Sequence, residues 1–276
     1  MKKSNLIWQI IIYTLLLIGS VIVLFPLAWM ISVSLMTNSE VQTAGVWWPS
    51  VPRFDNFVTA FTMLPFGRWT INTVIITVLS IIGVTISSTL VAYGFARFNA
   101  KGKNVIFMIV LATMMLPDTV TMIPQFIIFR DLGWVDTFLP LVVPTFFGSA
   151  FFIFLLRQFF MGLPLELEDA AKIDGLGTMG ILLRILLPLI TPALVSVAIF
   201  QFNGSWNDFM RPLIYLHNPN SFTLAIGINF FRSEQMVQWN FLMAASLVTM
   251  LPSLIIFFIG QKYFIEGISI SSGVKG

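Results

Sequence analysis

Long apolar stretches alternate with short polar segments along the chain, and this pattern predicts a bundle of membrane-spanning helices. A helix needs about 20 mostly apolar residues to cross a bilayer. The first stretch, Ser4 to Ser39, carries no charge and is too long for the apolar part of a cleaved signal peptide. We therefore predict an all-α polytopic membrane protein. Its six transmembrane helices are expected at 7–35, 69–94, 104–128, 138–160, 187–209 and 240–262.

Prolines fall inside the first, third and fourth of these spans, among others. Pro26 predicts a kink in the first span, because proline removes a backbone hydrogen bond and clashes with the preceding turn. Pro117 and Pro124 are expected to interrupt the third span, and Pro140 and Pro144 lie near the start of the fourth.

The composition excludes several classes of protein. Of the 276 residues, 57% are hydrophobic and 10% are charged, whereas soluble domains carry roughly 25% charged residues. A net charge of +3 over this length forms no basic patch. A soluble enzyme, a disordered chain and a nucleic-acid binder are therefore excluded as leading classes. The chain has no Cys, so disulfides and thiolate metal sites are absent as well.

Positive charge indicates the orientation of the spans, because cytoplasmic loops carry an excess of Lys and Arg. Six spans put both termini on one side, and ten of the 15 Lys and Arg residues share that side: Lys2, Lys3, Arg97, Lys101, Lys103, Arg157, Lys172, Arg184, Lys262 and Lys275. We predict that both termini are cytoplasmic. The expected segments are an N-terminal helix (1–36), an external linker (37–68), a core of five helices (69–262) with a cytoplasmic loop at 161–188, and a cytoplasmic tail (263–276).

The cytoplasmic loop is unusually long for a compact bundle, and long loops are often functional. Pro164 suits the first turn of a helix, acidic residues follow in the early turns, and Gly175 suits a left-handed C-terminal position. We predict a helix of about three turns at 165–175, which is marginal on its own in water. Two interpretations stay open: a helix lying along the membrane surface, or a docking helix whose Ala170 and Ala171 face a partner's groove.

The same loop resembles a family signature. Asp169-Ala170-Ala171, three residues, Gly175, nine residues and Ile185-Leu186-Leu187-Pro188 are similar to the EAA loop of ABC importer permeases. The family usually has Glu at the position of Asp169, so either this residue or Glu168 is expected to meet the ATPase. Further segments resemble the carbohydrate-uptake subfamily, above all the smaller permease of maltose-type importers. These segments are Ala92–Phe98, Leu116-Pro117, Ile123-Pro124, Phe154–Phe160, Gly204–Phe209 and Gly267–Gly276.

The resemblance implies a type I ABC importer permease fold in the inner membrane of a prokaryote, and it implies partners. These are a second related permease, two cytoplasmic ATPase subunits that carry ATP and Mg, and an external solute-binding protein. The transported solute is expected to be a carbohydrate, most simply an oligosaccharide, with glycerol 3-phosphate as the alternative. The chain has no Gly-x-x-x-x-Gly-Lys-Ser/Thr phosphate loop, so it is expected to be no enzyme and to hold no cofactor.

The resemblance also implies residue roles. The residues expected to couple to the ATPase are Glu168, Asp169, Ala170, Ala171, Asp174, Gly175, Ile185, Leu187 and Pro188. The C-terminal residues expected between the ATPases are Gly273, Val274, Lys275 and Gly276. The last external loop is expected to reach the binding protein, or to form a plain docking surface, through Phe231, Arg232, Ser233, Glu234 and Gln235.

Ionisable and polar groups at membrane depth are candidates for the substrate path. Asp118 is expected in the outer half of the bilayer, about 22 Å from Lys103 along an unbroken helix, with Gln125 on roughly the same strip. Asn203, Trp206, Asn207 and Asp208 end the fifth span, and such side chains suit sugar hydroxyls and C–H faces. The alternatives are a hydrogen-bond partner for the backbone freed at Pro117 and, for the fifth span, an interfacial aromatic belt with inter-helix hydrogen bonds.

Two competing classes have less support. An ion-coupled secondary transporter often pairs charges inside the membrane, whereas Asp118 stands nearly alone in the sequence. A membrane enzyme or a metal site needs a cluster of titratable ligands, and His217 is the only His in the chain.

Overall fold

The structure is a computed structural model that describes residues 2–232 and 237–271, with side chains described for 6–232 and 237–262. These residues are almost entirely helical, as an all-α polytopic membrane protein requires. The helices are α1 (Lys2–Ser34), α2 (Asn38–Gln42), α3 (Asp55–Met63), α4 (Phe66–Arg97), α5 (Lys103–Thr113), α6 (Asp118–Asp131), α7 (Leu139–Val142), α8 (Ala150–Gly162), α9 (Glu166–Ile173), α10 (Thr178–Ile181), α11 (Leu187–Leu189), α12 (Thr191–Trp206), α13 (Met210–Tyr215), α14 (Leu224–Ile228) and α15 (Trp239–Ser271).

Four helical segments in the described residues are long and apolar enough to cross a membrane. They are Leu6–Ser34, Phe66–Arg97, Leu139–Gly162 and Trp239–Lys262. The third and fifth predicted spans are each a pair of helices, bent by 96° between α5 and α6 and by 79° between Thr178–Leu189 and α12. The structure has six membrane spans if each bent pair of helices crosses the membrane as a single span.

The break in the third span occurs at only one of its two prolines. Pro117 has an extended backbone (φ −62°, ψ 136°) and directly precedes α6, whereas Pro124 lies inside that helix without ending it. A proline disfavours helical geometry in the residue before it, which explains a helix end just ahead of Pro117. The prediction that Pro124 also interrupts the span was wrong.

The chain divides into two compact units, Met1–Gly67 with Gly227–Leu251 and Arg68–Ile226 with Pro252–Gly276. In the first unit, Asn56 binds the end of α1. Its Nδ2 atom donates to the carbonyls of Ser34 and Met36, each at 2.8 Å. The predicted external linker therefore contains two short helices and fixed tertiary hydrogen bonds.

Glu40 is the centre of a second cluster in that unit. Thr37 and Glu40 form a capping box, in which each side chain accepts a hydrogen bond from the other's backbone N–H. The remaining carboxylate oxygen of Glu40 accepts hydrogen bonds from the Ser50 hydroxyl and from the Ser50 N–H. The Ser50 hydroxyl above all, and then the other donors, lower the pKa of Glu40 from 4.5 to about 2.

The core of the second unit lies where α4, α5, α8 and α12 pack together. Its fully or largely buried members are Val84, Ala92, Tyr93, Phe107, Phe152, Ile153, Leu156, Phe159, Phe160, Ala171, Ile181, Leu182, Leu186, Ile190, Ala193 and Val197. Ala171 belongs to α9, so the short helix of the long loop contributes a side chain to this core. By contrast, α1 buries no residue within the chain from Leu6 to Ile31, and only its last three residues, Ser32 to Ser34, are buried.

Candidate functional site

The helix predicted in the long loop is present as α9, from Glu166 to Ile173. Its first turn carries Glu166, Glu168 and Asp169, and its last turn carries Lys172. This arrangement matches the partial charges of the helix ends, which favour anions at the start and cations at the close.

Gly175 ends this helix in the way the sequence predicted. Its φ is +82°, in the left-handed region. The Gly175 N–H donates to the Lys172 carbonyl at 3.0 Å, and the Leu176 N–H donates to the Ala171 carbonyl at 3.0 Å. These two bonds form a Schellman motif, which satisfies carbonyls that the helix itself leaves open. Leu176 also packs against the core cluster that contains Ala171.

One face of α9 points into the protein. Glu168 is 6% exposed and Ala171 is 4% exposed, whereas Ala170 is exposed. The expectation that both alanines face a partner was therefore wrong for Ala171. Residues three apart lie on the same face of a helix, so Glu168 and Ala171 turn inward together. For the same reason α9 is packed on the bundle and does not stand apart from it.

A buried ion pair ties α9 to the end of α4. The Arg97 Nε atom lies 2.5 Å from the Glu168 Oε1 atom, and the two side chains are 6% and 8% exposed. The Arg97 Nη2 atom also donates to the Leu163 carbonyl at 2.9 Å. Glu168 is thus directed toward its own chain, and the acidic group available on the outside is that of Asp169.

The outer face of α9 carries Asp169, Ala170 and Ile173. Ile173 is 87% exposed, so its aliphatic side chain is accessible to a partner. The Lys172 Nζ atom donates to the Asp169 Oδ1 atom at 2.9 Å. That hydrogen bond raises the pKa of Lys172, which remains charged. The outer face is therefore a small, rigid surface with one ion pair and one apolar contact point.

The remaining residues of the 169–188 signature either pack against the core or are exposed. Asp174 is exposed at the end of the helix, and Pro188 is exposed in α11. Ile185 and Leu187 pack partly against the core cluster. The second half of the motif therefore anchors the loop in the core.

A cavity of about 630 Å³ lies within the second unit. Three of the residues that the sequence analysis named as substrate-path candidates, Asp118, Gln125 and Asp208, line it together with Gln201 and Ser205. The other lining residues are Thr73, Ile76, Thr119, Thr121, Met122, Leu141, Thr145, Phe152, Phe200, Gly204, Met210, Arg211, Pro212, Tyr215 and Thr223.

Three of the expected path residues do not line this cavity. Trp206 is buried and stacks on Phe202 at 5.3 Å between ring centroids. The Asn203 Nδ2 atom donates to the Ile199 carbonyl at 3.1 Å, and the Asn207 Nδ2 atom donates to the Asn203 carbonyl at 3.0 Å. These contacts lie within and at the end of α12.

Arg211 is the cavity residue that the sequence did not reveal. Its Nη2 atom lies 3.3 Å from the Asp118 Oδ2 atom, with side chains 55% and 89% exposed. Its backbone N–H donates to the Asp208 Oδ1 atom at 3.2 Å. Asp118 therefore has a cationic partner, contrary to expectation. The expected distance from Lys103 along one helix was also wrong, because the chain bends before Asp118.

The expected binding-protein contacts are only partly described. Phe231 is 4% exposed and stacks on Phe66 at 5.8 Å between ring centroids, so its side chain belongs to the core of the first unit. The prediction that Phe231 contacts the binding protein was therefore wrong. Arg232 is exposed. Ser233, Glu234 and Gln235, like Gly273, Val274, Lys275 and Gly276, lie outside the described residues.

Comparisons with known proteins show the family and the fold of the chain. The profile of the family described as binding-protein-dependent transport system inner membrane component matches residues 88–270. The arabinooligosaccharides transport system permease protein AraQ of Halalkalibacterium halodurans is 35% identical over 92% of this chain and 92% of its own. The diacetylchitobiose uptake system permease protein NgcG of Streptomyces coelicolor is 30% identical over 93% of this chain and 86% of its own.

A solved structure has the same fold. It is a chain of a bacterial ABC transporter involved in the import of the acidic polysaccharide alginate. The TM-score is 0.85 at 24% identity, over 96% of this chain and 99% of the other. At this identity the likeness describes the fold alone.

Proposed function

Because the chain belongs to the family of binding-protein-dependent transport system inner membrane components, we propose that it is a transmembrane permease of an ATP-driven importer for an oligosaccharide. It is a multi-pass inner-membrane protein, and permeases for arabinooligosaccharides and diacetylchitobiose are among its relatives. In this proposal it pairs with a second permease, binds two cytoplasmic ATPases that hold ATP and Mg, and receives solute from an external binding protein.

The observation that carries this proposal is the two-sided construction of α9. Its inner face is fixed in the permease core by Ala171 and Glu168, and its outer face presents Asp169, Ala170 and Ile173. An ATPase that binds the outer face moves the permease core with it, because packed interiors transmit displacement as rigid bodies. ATP-driven closure of the ATPases then rocks the bundle and opens the path outward.

The cavity fits a neutral sugar better than a phosphate. Gln125, Gln201 and Ser205 offer amide and hydroxyl groups for sugar hydroxyls, and Phe152 and Phe200 offer ring faces. The ionisable groups that line it are the carboxylates of Asp118 and Asp208 and the single guanidinium of Arg211. Because the negative groups outnumber the positive one, a phosphate is repelled. We therefore favour the oligosaccharide over glycerol 3-phosphate.

Reconstitution in proteoliposomes tests this function. The permease pair, the ATPases and the binding protein are assembled and supplied with labelled arabinooligosaccharide, diacetylchitobiose or glycerol 3-phosphate. ATP-dependent uptake of an oligosaccharide supports the proposal. If glycerol 3-phosphate alone is taken up, the proposed substrate is wrong and glycerol 3-phosphate takes its place. Uptake driven by a proton or sodium gradient without the ATPases contradicts the proposal and favours a secondary transporter.

The proposed topology places both termini in the cytoplasm, with residues 273–276 between the ATPases and residues 232–235 toward the binding protein. Reporter fusions at Gly276 and near Glu40 test it. We expect signals from opposite sides of the membrane. An external signal from Gly276 contradicts both the topology and the route of ATPase coupling.

A further inference from the structure

Arg97 is placed where it can control the position of α9. It is the last residue of α4, a helix long enough to cross the membrane. Its guanidinium contacts Glu168 inside α9, and it donates to the Leu163 carbonyl just ahead of that helix. One planar side chain therefore holds both the body of α9 and the chain segment that leads into it.

Neither contact is exchanged easily with water. The side chains of Arg97 and Glu168 are 6% and 8% exposed. A charge left unpaired at such a site is strongly destabilising, whereas the intact pair adds little to stability beyond what an apolar pair would give. The pair therefore fixes a geometry more than it stabilises the fold.

The surroundings make the end of α4 a rigid support. Ala92 and Tyr93 are buried in the core cluster. The Tyr93 ring lies 5.6 Å from that of Phe160 on α8, measured between centroids. The guanidinium of Arg157 lies 4.3 Å from the centre of the Phe107 ring, and its Nε atom donates to the Phe95 carbonyl at 3.4 Å. The segment that carries Arg97 is thus tied to both α5 and α8.

We propose that Arg97 is a positioning residue, which holds α9 against the end of α4 so that displacement of the docking helix moves that membrane helix. This inference rests on the proposed function, because it assigns a role in coupling to a permease that works with ATPases. It adds a defined mechanical connection between the outer face of α9 and α4. Arg97 itself contacts no solute and no ATP in this scheme.

The test compares variants in the complete reconstituted transporter. Arg97→Gln leaves Glu168 buried without its partner. Arg97→Lys keeps the charge but loses the planar fork that reaches two acceptors. The double variant Arg97→Met with Glu168→Leu removes both charges and keeps the volume, so it is expected to assemble even if Arg97→Gln does not. Arg184→Gln is the matched control, because Arg184 is exposed in the same loop.

The readout is the ratio of oligosaccharide uptake to ATP hydrolysis per assembled complex. We expect this ratio to fall at least about fivefold in the double variant, the lower end of typical coupling between sites, to fall less in Arg97→Lys, and to stay unchanged in Arg184→Gln. A purely structural role lowers the amount of complex but leaves the ratio unchanged. A wild-type ratio in both the double variant and Arg97→Lys overturns the inference.

A second readout reports the position of α9 directly. The chain has no Cys, so Ala170→Cys gives a single exposed attachment site. Cross-linking of this site to the ATPase is expected to weaken in the double variant, and an unchanged pattern counts against the inference. If the wild-type complex takes up none of the tested oligosaccharides, the proposed function fails, whereas the inference about Arg97 fails only against a working wild type.

Discussion

Gly175 offers a quantitative test of how α9 is held in place. Its backbone φ is +82°, and a Cβ atom added there would meet nothing within 4 Å. The cost of Gly175→Ala is therefore backbone strain alone, about 1–2 kcal/mol for an L-residue in the left-handed region. This corresponds to a factor of roughly 5–30 in the equilibrium between the closed and opened C-terminus of α9.

Gly177 is a matched control two residues away. An added Cβ meets nothing there either, but its φ is −74°, which any residue adopts. Gly177→Ala should therefore leave α9 intact. Gly175→Asn should cost less than Gly175→Ala, because Asn tolerates the left-handed region, and Gly175→Val should cost more because its side chain is branched at Cβ.

Hydrogen exchange of the purified complex measures the effect. The amides of residues 175 and 176 donate the two bonds that close the helix, so their protection should fall by the same factor of roughly 5–30 in Gly175→Ala. Binding of the ATPase should weaken in parallel. Equal protection in Gly175→Ala and Gly177→Ala would refute the reasoning, because only Gly175 has a left-handed backbone.

Three further changes have separate outcomes. Ala171→Asp places a charge in the permease core and should lower the free energy of unfolding by about 3 kcal/mol or more, so immunoblotting should show little permease in the membrane. Ala170→Asp should leave the permease level normal and reduce ATPase copurification. Equal permease levels would contradict the inward orientation. Asp118→Asn removes an exposed ion pair with Arg211 that contributes about 0–1 kcal/mol to stability, so the melting temperature should stay the same. The ratio of acidic to neutral oligosaccharide uptake should rise, and an unchanged ratio would contradict the inference that negative charge in the cavity repels anionic solutes. Because the pKa of Glu40 is lowered from 4.5 to about 2, the ionised carboxylate stabilises the folded 37–68 segment fully above about pH 4.5, and this stabilisation is lost as the pH falls toward 2. Proteolysis of the 37–68 segment should therefore increase in this window in the wild type and be independent of pH there in Glu40→Gln.

The sequence predicted a helix at 165–175, which the structure has at Glu166–Ile173, because the signals for this helix are local. Proline before the helix, acidic residues in its first turn and Gly175 at its end all act within a few residues. Which side of the helix faces the protein depends on Arg97, about seventy positions earlier in the chain. The two alanines look alike in sequence, so the inward turn of Ala171 could not be derived from them.

The bend before Asp118 and the ion pair of Asp118 with Arg211 also depend on tertiary contacts that local sequence signals do not determine. Pro117 and Pro124 carry the same local signal, yet only the first ends a helix. Whether a helix continues through a proline depends on packing that can compensate the lost hydrogen bond. Asp118 and Arg211 are separated by 93 positions, so no local pattern links them, and the cavity they share appears only in the folded chain.

The inner face of α9 also explains why a charged pair suits this position. An apolar side chain at Glu168 would pack against the core in several nearly equivalent ways, because dispersion contacts have little directionality. The guanidinium of Arg97 instead forms an ion pair with the Glu168 carboxylate and donates a hydrogen bond from Nη2 to the Leu163 carbonyl, so it contacts both α9 and the segment ahead of it. These two contacts therefore set the angle at which α9 leaves the bundle. A permease that receives movement through a helix of eight residues depends on that angle more than on the stability of the helix itself.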